Sequence, residues 1–534
     1  MTVEASISLD VLPTRAVYRS GEDVVVDVRN AAAAGTLTVH RLGDEVARHA
    51  VTGAGPVHLG ALPDGGYGIE LVVGASSART AVEVADPSVD RARYGFVVDY
   101  RPGRDVSAVA DNVRRLHLTD VQFYDWAYRH ADLLGGGETY DDALEQPIAL
   151  DTVRRLVAGV HAAGSRALGY AAVYAVGNEE WDEWNDVALV DALGDPYALG
   201  DFLRLVDPAD PRWSKHFTAD LRASVDAVGF DGFHLDQYGY PKHATRVDGT
   251  PVRVEDSFAK LIDDVRSALP SGRLVFNNVN DFPTWRTGRA PQDAVYIEAW
   301  LPHTTLGHLA RLVRRAHAAG SGRPVIVAAY QHVYDSAPAD AADRATAFTM
   351  ATLFSHGATH LLCGEADRIL VDPYYVRNHV VGRGTAAMLQ RWYDFLVAHV
   401  EVLQGPGLVD VTGSYLGSYN DDCDVSYDGV TVSDQPIAGA VWVRIVETTG
   451  RLVVHLVNLV GQDDTAWDAP RNPVPGLGDG ALRLRLAGPA LPRIRVADPD
   501  LSPRLVDVPV RADGTHAVAT LPSPGVWQVV VIDF

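Results

Sequence analysis

The chain has 534 residues, which at roughly 150 per domain suggests about three domains, and its 47% apolar and 22% charged residues are those of a folded globular protein. With 46 basic against 69 acidic residues the formal charge is −23, a surface that repels phosphate backbones and anionic lipid headgroups and so argues against nucleic acid and membrane as partners. Two cysteines, Cys363 and Cys423, cannot make a disulfide framework or a Cys-rich metal site, and the GxGxxG, HExxH and GxSxG signatures are absent.

Met1 to Tyr18 has no basic start followed by an unbroken apolar stretch, and no run approaches the roughly 20 apolar residues of a membrane span. The expectation is a cytoplasmic chain, or a secreted one already trimmed of its signal. Residues 1–90 alternate at period two, as in Ile7, Leu9 and Val11, and turn often, as at Ser20-Gly21-Glu22-Asp23 and Pro63-Asp64-Gly65-Gly66. Short strands with frequent turns predict a β-sandwich.

From about residue 94 the rhythm becomes strand, helix, strand, helix. Eight strand-like runs lie at 94–100, 121–126, 167–174, 232–236, 274–278, 294–300, 324–330 and 359–365. Between them, residues 151–164 place Val153, Leu156, Val157 and Val160 on one helical face, and residues 305–320 do the same with Leu306, Leu309, Leu312, Val313 and Ala316. Both segments end in His-Ala-Ala-Gly, at Gly164 and Gly320, where glycine suits the left-handed residue that stops a helix. Eight such units in about 300 residues predict a (β/α)8 barrel over 91–405. A doubly wound open sheet, the alternative, would often show a Gly-rich first turn, which is missing. After 405 the runs at 440–446, 452–459, 482–486 and 526–532 predict an antiparallel β-domain of Greek-key type over 406–534, packed on the barrel.

Barrel enzymes build their sites from strand C-terminal ends. In the fourth run, Gly229-Phe230-Asp231-Gly232-Phe233-His234-Leu235-Asp236, alternation turns Phe233 and Leu235 toward the helices and Gly232, His234 and Asp236 toward the axis. Asp231 precedes the strand and organises a turn at the bottom. In the sixth run Tyr296, Glu298 and Trp300 face inward, so Glu298 ends at the same rim as Asp236, two strands away. Two carboxylates among aromatic rings suit glycoside hydrolysis: one attacks or stabilises the anomeric carbon, the other protonates the leaving oxygen, and ring faces pack on sugars. With 69 acids, two solvated rim carboxylates are the plain alternative. The rest of the rim weighs against it. Tyr124, Asp125, Trp126 and Tyr128 end strand two, Tyr174 ends strand three, Asn277, Asn278 and Asn280 follow strand five, and Tyr330 ends strand seven, with no basic cluster. That is the lining of a neutral polyhydroxyl site. His234, one layer below Asp236, reads as a hydrogen-bonding support, ahead of a general base or a metal ligand. No ligand cluster enforces a metal, although loop carboxylates for a structural Ca²⁺ leave no firm signature.

At these residues the sequence resembles glycoside hydrolase family 66, the dextranases and cycloisomaltooligosaccharide glucanotransferases. The resembling stretches are FYDWAYRH at 123–130, GFDGFHLDQYG at 229–239, YIEAW at 296–300, VIVAAY at 325–330 and LVDPYY at 370–375. The resemblance implies an N-terminal immunoglobulin-like domain before the barrel and a retaining mechanism on α-1,6-linked glucan without a cofactor. It implies Asp236 as nucleophile, Glu298 as acid/base and Asp125 as a sugar-binding acid, unless Asp125 instead orients Arg129 or a backbone turn. Tyr128, Tyr174, Tyr238, Asn278, Trp300, Tyr330 and Glu365 are then rim contacts or, equally, packing residues behind the rim. The cyclising members carry a long carbohydrate-binding insertion in the barrel region, for which the closely spaced strands here leave no room; that favours hydrolysis. A transglycosylase and a non-catalytic sugar-binding barrel remain the competing readings.

Overall fold

The computed structural model describes residues 8–405, 407–416, 420 and 422–534. At its centre, eight strands run parallel and each pairs with the next in chain order: Tyr94–Val97, Asp120–Phe123, Arg166–Ala172, Gly232–Asp236, Arg273–Val279, Ala294–Glu298, Val325–Ala328 and Ala358–Leu361. All eight expected runs carry a strand. The sheet curls until its edges meet, where the Phe96 amide donates to the Cys363 carbonyl (3.2 Å) and the Thr359 hydroxyl to the Ala92 carbonyl (2.6 Å). The result is a nearly closed barrel.

The helices between the strands form where the apolar spacing places them. In Leu150–Ala162, Val153, Leu156, Val157 and Val160 are all buried, and Gly164 beyond it adopts φ +77°. The second His-Ala-Ala-Gly behaves differently. Gly320 is the last residue of Leu306–Gly320, and Ser321 takes the left-handed position at φ +54°. A Cβ on Gly320 would stand 2.7 Å from Val295 Cγ2, so this glycine lets the helix close on strand six rather than stopping it.

The barrel floor is charged. Asp120, fully buried, accepts from Arg166 (2.7 Å) and Arg273 (3.1 Å), and Arg273 also pairs with Asp90. The two guanidiniums outweigh the burial of Asp120 and pull its carboxyl down to about 2. The floor binds the segment that enters the barrel, and it leaves the opposite end for chemistry.

Before the barrel, two sheets face each other across a core of Val24, Val26, Val28, Leu37, Val39, Ile69, Leu71 and Val84. One contains Asp10–Pro13, Asp23–Arg29 and Gly55–Ala61; the other contains Tyr18–Arg19, Gly35–Arg41, Asp44–Val51, Gly65–Val73 and Ser76–Ala85. After the barrel, a seven-stranded sheet and a four-stranded sheet share a second core that includes Val443, Leu456, Leu484 and Ile532. The last strand, Trp527–Asp533, lies inside the larger sheet, paired on one side with Arg451–Asn458 and on the other with Arg493–Asp498. Its Trp527 packs against Trp392, Phe395 and Phe354 of the barrel helices, with ring centres 5.3–6.4 Å apart. Ion pairs join the three regions: Arg41 with Glu401 and Arg493 with Asp44, each at 2.7 Å. Among the described residues no helix is long and apolar enough to cross a membrane.

Candidate active site

Strand alternation delivers both acids to the open end of the barrel. Gly232 begins strand four with its Cα against strand five, where a Cβ would meet the Arg273 carbonyl at 1.9 Å. From there Phe233 and Leu235 pack outward, and His234 and Asp236 point in. His234 lies on the axis, bonded to the Tyr94 hydroxyl at 3.0 Å and set edge-on to Tyr296 at 4.7 Å. Burial drops its imidazole to about 3, so it is neutral and supports the layer above.

Asp236 accepts from the Tyr170 hydroxyl (2.7 Å) through one oxygen and from the Asn277 amide (2.7 Å) through the other. The same Asn277 nitrogen donates to Glu298 at 2.9 Å. The bridged oxygens of Asp236 and Glu298 therefore stand no more than about 5.6 Å apart, the length of the two bonds laid end to end. Burial pushes the Asp236 carboxyl up to about 6 against the pull of Tyr170 and Asn277. Glu298 rises further, to about 7, through burial and then the charge of Asp236, with Asn277, Tyr330 and Trp300 opposing. Between these two values the pair holds about one proton, and Glu298 is its preferred place.

The two acids line a pocket of about 250 Å³ together with Asp125, Tyr170, His234, Tyr238, Asn277, Trp300 and Tyr330. Its aromatic wall is continuous: Tyr375 stacks on Tyr124 with ring centres 4.2 Å apart, and Tyr330 lies 5.6 Å from Trp300 and 6.1 Å from Tyr375. No Arg or Lys reaches the lining, and its two histidines, His130 and His234, are held neutral by burial. Asp125 adopts φ +43°, a conformation that branched and bulky side chains avoid and that clusters at functional sites. Its Oδ1 is buried without a hydrogen-bond partner, and burial with the nearby Asp142 and Asp236 charges pushes its carboxyl well up. It does not hold Arg129, which pairs instead with Glu179 and the carbonyls of Tyr128 and Asp141.

Four of the seven expected rim contacts lie outside the pocket. Tyr128 is capped by Arg129, 4.2 Å above its ring, and packs on Tyr140. Tyr174 lies past the end of strand three, donating to the Tyr240 carbonyl (2.6 Å) and accepting from the Tyr238 amide (3.0 Å), so it shapes the loop that carries Tyr238. Asn278 takes the outward phase of strand five, bonded to the Tyr296 carbonyl and the Thr287 hydroxyl. Glu365 accepts from the Val98 amide and from Arg104, tying the last strand's end to the first. Tyr124, placed at the rim by the sequence, does line the pocket, and Tyr170 and Tyr375 join it without having been picked out as site residues. The signal for Tyr170 was available: it alternates with Gly169 and Ala171, and it is the register partner of His234. Among the described residues no group of three His, Cys, Asp or Glu is placed to hold a metal ion.

Comparison with known proteins puts this geometry in context. A cycloisomaltooligosaccharide glucanotransferase of Niallia circulans is 25% identical over 301 residues, covering 51% of this chain and 31% of that protein. A dextranase of Streptococcus salivarius is 24% identical over 455 residues, 72% of this chain and 54% of that one. The chain thus spans about a third of the length of the one relative and about half of the other. Among solved structures, a Paenibacillus cycloisomaltooligosaccharide glucanotransferase complexed with cycloisomaltoheptaose superposes with a TM-score of 0.87 at 18% identity, over 98% of this chain and 100% of that one. A maltogenic α-amylase of Thermotoga neapolitana reaches 0.50 at 10% identity. At these identities the structural likeness is one of fold. The family model of glycosyl hydrolase family 66 matches residues 14–531, a span that takes in both carboxylates and the whole barrel, and the chain belongs to that family.

Proposed function

We propose that the chain is a retaining glycoside hydrolase of dextranase type, cleaving α-1,6-glucosidic bonds of dextran or isomalto-oligosaccharides. The observation that carries the reading is the Asn277 bridge, which keeps Asp236 and Glu298 within about 5.6 Å. Retaining enzymes hold their carboxyl groups about 5–5.5 Å apart, whereas inverting enzymes need about 6.5–9.5 Å to admit a water. Asp236, the lower of the two in pKa and held by two donors, attacks the anomeric carbon. Glu298 delivers its proton to the departing glycosidic oxygen, leaving a β-glucosyl ester on Asp236 and a carboxylate on Glu298. That carboxylate then takes a proton from the incoming water as its oxygen attacks the same carbon, which frees Asp236 and restores the α configuration.

The uncharged aromatic wall supports a neutral polyhydroxyl substrate, and the names of the dextranase and glucanotransferase relatives support α-1,6-linked glucan. Asp125 and the rings of Tyr238, Trp300 and Tyr330 are the proposed sugar contacts. The lack of an inserted module does not by itself separate hydrolysis from transfer, because the solved glucanotransferase chain is covered in full by this fold. The products decide between them. Incubation with dextran should release linear isomalto-oligosaccharides by chromatography and mass spectrometry and leave starch intact. A dominant series lighter by one water would make the enzyme a cyclising transferase. Cleaved starch beside intact dextran would sink the substrate assignment.

A further inference from the structure

We propose that Asn277 is the positioning residue of this site, a single amide nitrogen that holds one hydrogen to each carboxyl group and so serves whichever of them carries the charge. The inference rests on the reading of Asp236 and Glu298 just given. During a retaining cycle the pair carries one negative charge throughout, first on Asp236, then on Glu298 once Asp236 has become an ester. A guanidinium or ammonium at the same place would hold both groups ionised and abolish the acid. A neutral amide stabilises either charge without choosing, and it need not reorient as the charge crosses.

The structure sets this amide firmly. Asn277 is 3% exposed, on strand five between the strands that bear the two acids, and its backbone carbonyl accepts from the Gln237 side chain at 3.0 Å. The orientation of the side chain follows from its neighbours, because an amide oxygen turned toward the pair would face the ionised Asp236 with no hydrogen between them, whereas the nitrogen offers one hydrogen to each carboxyl group. That orientation leaves Asn277 Oδ1 buried and without a partner, an unfavourable arrangement that the two bonds of the nitrogen must offset. The remaining donors each serve one acid: Tyr170 serves Asp236, and Tyr330 and Trp300 serve Glu298. Only the Asn277 amide reaches both.

Among the groups facing the pair, His234 is neutral and Tyr170, Tyr238, Tyr296, Tyr330 and Tyr375 are held protonated by burial, which leaves Asp125, its carboxyl pushed well up by burial, as the other carboxyl group facing them. The test is Asn277→Ala, with Asn277→Ser as a milder replacement that keeps one donor. In Asn277→Ala, kcat/KM should fall about 10²–10³-fold, mainly through kcat. Both limbs of the pH profile should move to higher pH, because each ionised carboxyl group has lost a donor. Asn277→Ser should recover part of the rate and part of the displacement. Loss of rate with both limbs unmoved would reduce Asn277 to a packing role and overturn the proposal. Titration of the labelled side-chain carboxyls by ¹³C NMR needs no substrate and resolves Asp125 from the pair. Asp236 and Glu298 should both titrate higher in Asn277→Ser than in the wild type, and unmoved titrations overturn the proposal even if dextran is not the substrate. Wild-type protein that ignores dextran while the variant still shifts both titrations would overturn the substrate reading alone.

Discussion

Two buried carboxyl groups carry the proposed chemistry of this pocket, and each should leave a separable signature. Asp236→Asn should abolish turnover and at the same time stabilise the fold. The wild-type carboxyl, raised from 3.8 to about 6, binds its proton more tightly in the folded state, so stability is lost as pH rises through that interval. The asparagine escapes the loss, and denaturation at pH 7–8 should show a gain of about 1–3 kcal/mol that vanishes near pH 4. Glu298→Gln should spare donors with good leaving groups, such as a glucosyl fluoride, in the first step and fail on natural linkages. Azide added to Glu298→Ala should return an α-glucosyl azide, and added to Asp236→Ala the β-azide; the reverse pairing would exchange the two roles. Alternation alone made these two residues legible in the sequence, because both end their strands in the inward phase. It failed at Asn278, where two consecutive asparagines leave the phase open, and only the observed register shows Asn277 to be the one facing in.

The helices and strands were more legible than the points where they stop. Strand three was expected to reach Tyr174 but ends at Ala172, and beyond a strand's last ladder bond the period of two no longer says where a side chain points. That is why alternation left Tyr174 and Glu365 open between rim contact and packing residue, and the structure shows the packing role. The two His-Ala-Ala-Gly sequences teach the same lesson for helices, since identical letters stop one helix and pack the other. Their difference can be measured. Gly320→Ala gains helix propensity of up to about 1 kcal/mol but drives a methyl group into Val295 at 2.7 Å, and overpacking of that kind costs about 1–3 kcal/mol. We expect net destabilisation in urea, recovered in part by adding Val295→Ala, with kcat of the folded fraction unchanged. If Gly320→Ala alone raises stability, the close approach of helix and strand is wrong.

At the scale of the molecule, the sheet after the barrel belongs to the same apolar body as the barrel helices, through Trp527, Trp392, Phe354 and Phe395. Packing of this domain on the barrel was expected, but not the residues that make it, because a strand of alternating apolar residues does not name the side chains it will meet. Trp527→Ala, far from the pocket, should therefore cost about 3–5 kcal/mol and lower the single thermal transition of barrel and sheet together. A separate early transition, with the barrel's melting unmoved, would mean that the two fold independently. The position of Trp527–Asp533 inside its sheet has a consequence for biosynthesis. About 165 residues separate the last barrel strand, Ala358–Leu361, from Trp527, and at about 5–20 residues per second the ribosome needs roughly ten to thirty seconds to make them. Until Trp527–Asp533 has emerged, the apolar faces of the barrel helices that Trp527 covers stand open, and a nascent chain stalled before that strand would present them to chaperones and proteases.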